Sequence, residues 1–205
     1  MAALHSEVWS PRGGGRILFR LTVVIATLLV VGSGQAEEDG WQEAALQRAI
    51  SYCQASRPDV CEADATPTES YKLRLGEETA ARAALMVAFA CRSLDTGQSS
   101  VFVLSDQYGT VSDQVFSTPV IASGEAANID AAAIEWQQRR EVLNAAYEPD
   151  GRTMIAVETW PNTDEIRIRT QWGFYLGLFR LMRFEVDAAA DGRQELVVLI
   201  ENEIW

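Results

Sequence analysis

Three short segments punctuate this chain: Asp106-Gln107-Tyr108-Gly109, Glu148-Pro149-Asp150-Gly151 and Ala189-Ala190-Asp191-Gly192. Each ends in glycine and separates two runs rich in β-branched and aromatic residues. Asp, Pro and Gly adopt the backbone angles of tight turns at little steric cost. Runs that flank such turns read as hairpin arms. They are 101–104 with 111–116, 142–147 with 153–160, and 178–186 with 194–204; a further strand, 166–176, precedes the last pair. Successive hairpins place neighbouring runs side by side and antiparallel. The expected architecture is therefore an antiparallel meander, built as a curved sheet, a sandwich or a barrel-like sheet.

Ahead of the meander the period changes. In residues 41–57, Leu46, Ala49, Ile50 and Cys53 recur at three- and four-residue spacing, one narrow apolar stripe of a helix. Pro58 closes it, because the residue before a proline is pushed out of the helical region. Residues 59–70 read as a loop containing Pro67, and Tyr71, Leu73 and Leu75 then alternate with Lys72 and Arg74. Residues 83–91 put Leu85, Val87, Phe89 and Cys91 on one face of a buried strand; a helix after Glu77-Glu78-Thr79 is the alternative. Residues 117–130 read as a loop and 131–140 as a short helix. The fold class expected is α+β, mostly antiparallel β meander with an N-terminal helix.

The start of the chain reads as an address. Arg12, Arg16 and Arg20 precede an uncharged run over 21–31, which ends in Gly34-Gln35-Ala36. A basic stretch, a short apolar core and a small-x-small end make a secretory signal peptide, cleaved before Glu37. The apolar run falls short of the roughly 20 residues a spanning helix needs. The expected organisation is a signal peptide over 1–36, a helix and loop over 37–70, and a β-rich domain over 71–205. The expected location is periplasmic or secreted, without stable membrane insertion after cleavage.

Cleavage changes the chemistry available. The chain's 17 basic and 29 acidic residues become 14 and 28, so the net charge moves from −12 to −14. Such a surface disfavours nucleic acid as a partner. The single histidine, His5, leaves with the leader. Catalytic centres built on Ser-His-Asp or Cys-His, and His-ligated metal sites, are then excluded. No CxxC pair and no phosphate-binding glycine loop precede a helix. Ser70 and Lys72 would share one strand face, a spacing better explained by chance than by a Ser-Lys mechanism. No cofactor or metal is expected.

Two of the three cysteines are expected to pair in an oxidising compartment. Cys53–Cys61 is the local bridge across the helix end, with Cys91 left as a small hydrophobe; Cys61–Cys91 is the alternative. Asp187, Asp191, Gly192 and Glu195 resemble a calcium loop, but Ala189 and Val198 occupy ligand positions, so a hairpin turn is expected. Trp205 does not mark a membrane barrel strand, since Glu203 and Glu201 would share its face.

One stretch departs from the acidic average. Residues 166–184 contain Arg167, Arg169, Arg180 and Arg183 and no acid. Ile166, Ile168, Trp172, Phe174 and Leu176 would take one face; Arg167, Arg169, Gln171 and Tyr175 the other. Arginines beside an aromatic ring suit recognition of carboxylate or phosphate. Neutralisation of acids within the fold is the competing role and the one expected here, with Arg180 placed near Glu201 on the last strand. Gly173 and Gly177 mark positions where a sheet often bends.

Ala90-Cys91-Arg92, the run VFVLSDQYG, the hairpin VLNAAYEPDGRT, and QWGF followed by LFRL resemble a family of secreted bacterial proteins known as a domain of unknown function. The resemblance spans about residues 80–205. It implies an exported β-rich domain without established catalysis and transfers no functional residue. The function expected is an exported, non-enzymatic binding or interaction module of the bacterial cell envelope. Its partner would be a protein or a small ligand. A carboxylate-based hydrolase of an envelope polymer is the alternative.

Overall fold

Among the described residues, period-two alternation is realised as twelve strands, and the 3.6-residue period as a helix ahead of them. The computed structural model describes residues 40–58, 66–76, 81–121, 134–160, 164–187 and 191–203. The leader over 1–36, Cys61 and Trp205 lie outside the described residues. The strands and nearly all of the helix belong to the second of two units, Gln42–Trp205.

Helix α1 covers 40–56. Strands β1 (Pro67–Leu75), β2 (Arg82–Leu94), β3 (Gly97–Asp106) and β4 (Val111–Asp113) follow as an antiparallel meander. β5 (Phe116–Ile121) and β6 (Ile134–Arg139) form a separate two-stranded ribbon. β7 (Glu141–Leu143) returns to β3. β8 (Ala145–Glu148), β9 (Thr153–Thr159), β10 (Ile166–Tyr175), β11 (Leu178–Val186) and β12 (Val197–Glu201) make a second meander with every strand beside its sequence neighbour. The fold class is α+β, and neither sheet closes on itself.

One apolar core joins the two sheets. Leu73, Met86, Phe102 and Leu104 of the first sheet share it with Met154, Trp172, Phe174 and Phe184 of the second. Phe116 from the ribbon completes this core. Its ring centroid lies 6.0 Å from Phe102, 5.1 Å from Trp172 and 5.0 Å from Phe179. Trp172 donates its indole N–H to the Ser117 carbonyl at 2.9 Å, so the base of the ribbon is pinned from the same side.

The other face of β2 and β3 is buried too. Leu85, Val87, Phe89, Val101 and Val103 alternate with the core-facing set and are at most 5% exposed. Ala45, Ala49 and Cys53 of α1 are fully buried. Their four-residue spacing is one helical ridge of small side chains. Arg48, on the same helix, reaches the β3 end, donating to Ser105 Oγ at 3.3 Å and to the Asp106 carbonyl at 2.8 Å. A strand covered on both faces reads as a continuous apolar run rather than an alternating one. That is why 83–91 resembles a helix in sequence while folding as part of β2.

Several expectations need correction. Where a short helix is expected, 134–139 form β6, and residues 117–121 of the expected loop belong to β5. The alternation is hidden because β6 is exposed on both faces. Pro67 opens β1 rather than sitting in a loop; the strand is at the sheet edge, where proline's missing N–H is tolerated. The stripe of α1 runs through Ala45, Ala49 and Cys53, with Leu46 and Ile50 only partly buried. Residues 142–143 pair with β3, not with 153–160. The last strand spans Val197–Glu201 rather than 194–204.

The switch from one sheet to the other takes a single residue, Asn144, with φ at +44°. Asparagine tolerates this left-handed region better than most residues. Its side-chain oxygen accepts the Gln98 N–H at 2.9 Å, and its amide donates to the Thr96 and Val157 carbonyls at 2.8 and 3.1 Å. Gly97 leaves room for it: a Cβ there would stand 1.9 Å from Asn144 Oδ1.

Candidate functional site

The arginine-rich stretch 166–184 folds as β10 and β11, joined by the two-residue turn Leu176-Gly177, both with positive φ. Leu176 therefore sits in the turn, half exposed, and not on the face of Trp172 and Phe174. The register shift falls between Gln171 and Trp172, while Gly173 is a strand residue opposite Arg180.

All four arginines have partners within the fold. Arg183 donates from Nε to Glu185 at 2.9 Å and from Nη1 to Glu201 at 3.1 Å. Arg169 approaches the other Glu185 oxygen at 3.9 Å. Arg167 lies 4.9 Å from the centre of the Trp160 ring, and Arg180 lies 5.4 Å from that of Tyr175. Arg183, not Arg180, stands opposite Glu201, because the β11–β12 pairing is offset and shifts at Phe184/Glu185. The result is a flat ladder on the outer face of the second sheet.

A second arginine group has no counterpart in any contiguous stretch of sequence. Arg57 follows the end of α1, Arg92 lies on β2, Arg139 ends β6, and Arg140 joins β6 to β7. With Ser56, Gln138 and Glu141 they line an open cavity of about 580 Å³. Glu141 is its internal counter-charge. It accepts from Arg92 at 2.8 and 3.0 Å, from Ser99 Oγ at 3.2 Å and from Arg57 at 3.4 Å.

Asp113, at the end of β4, is the second clamp. Arg140 Nε lies 3.4 Å and Arg57 Nη1 3.9 Å from its Oδ2, and the Tyr52 hydroxyl donates to Oδ1 at 3.2 Å. Both carboxylates are committed to arginine. The cationic side chains reach outward: Arg92 is 60%, Arg140 58% and Arg139 37% exposed. Arg139 leans on Glu158 at 3.4 Å. Arg140 meets Asp113 only as an ion pair through Nε, without a hydrogen bond, and its two terminal amino groups have no partner among the described residues. Guanidinium amino groups are the donors that take an oxyanion side-on.

Cys91 is a free thiol close to this basin. Burial pushes the thiol up, and the Glu141 carboxylate adds to the shift. A thiol so placed is a poor nucleophile. Cys53 is fully buried, and the partner expected for it, Cys61, lies outside the described residues.

The other sequence candidates have structural roles. Asp187 closes the loop ahead of β12, accepting from Gln194 at 3.0 Å and from the Glu195 N–H at 3.2 Å. Asp191 accepts the Arg193 N–H at 3.0 Å. Among the described residues no group of three or more His, Cys, Asp or Glu side chains is arranged to hold a metal. Ser70 and Lys72 are both exposed on β1, between Tyr71, Leu73 and Leu75. Tyr71 is bonded to Glu69 and its ring meets Tyr147 edge-on at 5.0 Å. No described helix is long and apolar enough to cross a membrane. No protein-family model, no curated protein and no solved structure matches the chain.

Proposed function

We propose that this chain is an exported, non-enzymatic binding module of the bacterial cell envelope that holds an anionic group in the basin of Arg57, Arg92, Arg139 and Arg140. One observation carries the reading: guanidinium groups from three separate segments line a single open site. Four arginines against three carboxylates, Asp113, Glu141 and Glu158, leave one positive charge in excess here, on a protein whose net charge is −12. The carboxylates within it, Asp113 and Glu141, hold the arginines in place, which suits binding better than acid–base chemistry. Export rests on the leader pattern over 1–36 and is tested by the mature N-terminus, expected at Glu37 in protein from its host.

The binding reading is tested by calorimetric titration with citrate and with inorganic phosphate. Saturable binding that weakens with added salt is expected, since salt screens exposed charges. The Arg139→Ala/Arg140→Ala variant should lose it. No saturable binding of either anion, or binding unchanged in that variant, would overturn the proposal.

A further inference from the structure

We infer that the ligand of the basin is an acidic saccharide, a chain of carboxylate-bearing sugar rings; the inference rests on the anion-binding reading above. It comes from what stands beside the arginines. Trp136, on β6, is 54% exposed, the most exposed tryptophan among the described residues. It pairs across the ribbon with Pro119, and strand alternation puts it on the same face as Gln138, which lines the basin. Two residues along a strand separate the two side chains by about 7 Å.

A single exposed indole is common on protein surfaces; Trp136 gains its meaning from sharing a strand face with Gln138, which lines the basin. The indole face carries the negative end of the ring quadrupole. The C–H face of a sugar ring is broad, apolar and weakly positive, so it stacks there. Gln138 offers both a carbonyl acceptor and amide donors, the pair needed for sugar hydroxyls. Arg139 and Arg140 then meet the carboxylate. Ring platform and amide thus share one face of β6, and Arg139 and Arg140 line the basin at its end, over a length suited to two or three linked rings. A free inorganic anion uses the arginines alone. An acidic peptide uses them without needing a flat platform.

Three probes separate these outcomes: an oligogalacturonate of four to six rings, poly-glutamate of similar charge, and citrate. The wild-type protein should bind the oligogalacturonate most tightly. Trp136→Ala should weaken oligogalacturonate binding about three- to tenfold, the range for one lost aromatic contact, and leave citrate binding unchanged. Trp136→Phe should restore part of the loss. Arg139→Ala/Arg140→Ala should weaken binding of all three about 100-fold. If Trp136→Ala changes nothing for the saccharide while citrate still binds, the saccharide inference is overturned and the anion basin stands. Poly-glutamate binding that is tighter than saccharide binding and equally sensitive to Trp136→Ala also overturns it, in favour of an acidic peptide. If none of the probes binds, both readings fall together.

Discussion

The two arginine groups contain the same number of guanidiniums and are assembled in different ways. In the ladder, Arg167, Arg169, Arg180 and Arg183 lie on adjacent strands, so every side chain has a neighbour within reach across the sheet. Cross-strand glutamates and aromatic rings absorb the charge. In the basin, the arginines arrive from α1, β2 and the β6–β7 junction, and three carboxylates, Asp113, Glu141 and Glu158, pair with them. The difference teaches that a run of like charges in sequence says little about recognition. Both groups meet acids of the fold; what differs is that the run lies along paired strands, whereas charges converging from distant segments line one shared open site.

The largest contrast should be in binding. Arg139→Ala/Arg140→Ala and Arg167→Ala/Arg169→Ala remove equal charge, so long-range electrostatics are matched. Losing two charge-assisted hydrogen bonds should weaken citrate binding about 100-fold in the basin variant. The ladder variant should stay within about twofold. Equal losses in calorimetry would erase the distinction.

Asp106 calibrates what a clamped carboxylate contributes. It is 2% exposed, accepts the Tyr108 and Thr110 N–H groups at 2.9 and 2.8 Å, and pairs with Arg82 at 3.1 Å. Burial alone raises its pKa, but the hydrogen bonds of Thr110 and Tyr108, with Arg82, outweigh it and hold the carboxyl below its ordinary 3.8. A depressed folded value means stability that is present above 3.8 and lost as pH falls through the lowered value. Asp106→Asn should cost about 1–3 kcal/mol at neutral pH. Denaturation curves from pH 6 to pH 2 should show that gap hold and then close in acid; a gap independent of pH would mean the charge is irrelevant.

A smaller effect is expected at Arg183, the busiest member of the ladder. Glu185, with its side chain 10% exposed, would keep only the longer contact to Arg169. Arg183→Ala should cost about 1–2 kcal/mol, a drop of about 3–6 °C in Tm for a chain of this size. An unchanged melting curve would show the ladder to be ornamental to stability. Smallest of all, Arg180→Ala removes one exposed cation over Tyr175, and the change should stay below about 1 kcal/mol at any salt concentration.

Much of the fold is legible in the residues. Asp106-Gln107-Tyr108-Gly109 folds as the turn it resembles, with Gly109 at φ +98° and Asp106 receiving the loop N–H groups. The Glu148–Gly151 turn is also present, although the left-handed residue is Arg152 rather than the glycine. The β5–β6 ribbon escapes notice because its partner faces are mixed: Phe116 is core while Glu135, Trp136 and Gln137 are exposed. The basin escapes for a different reason. Arg57 and Arg140 are 83 residues apart, and only the return of β7 to β3 brings them together. Two weak signals were present, the Arg139-Arg140 pair and the exposed-type tryptophan shortly before it.

That return has a consequence for how such a protein can change over generations. β4 pairs with β3 at Val103–Ser105, and β7 takes up the same edge at Ser99–Val101. The chain from 114 to 140 is therefore a detour that leaves an edge and rejoins it a few ångströms further along. Insertions or deletions at the far end of the detour need not move any register in either sheet. Trp136, Gln138, Arg139 and Arg140 all ride on its returning limb. Lineages carrying this scaffold can thus exchange the surface proposed to meet the ligand while inheriting the rest unaltered, and ribbon length and sequence should diverge fastest where that surface serves different ligands.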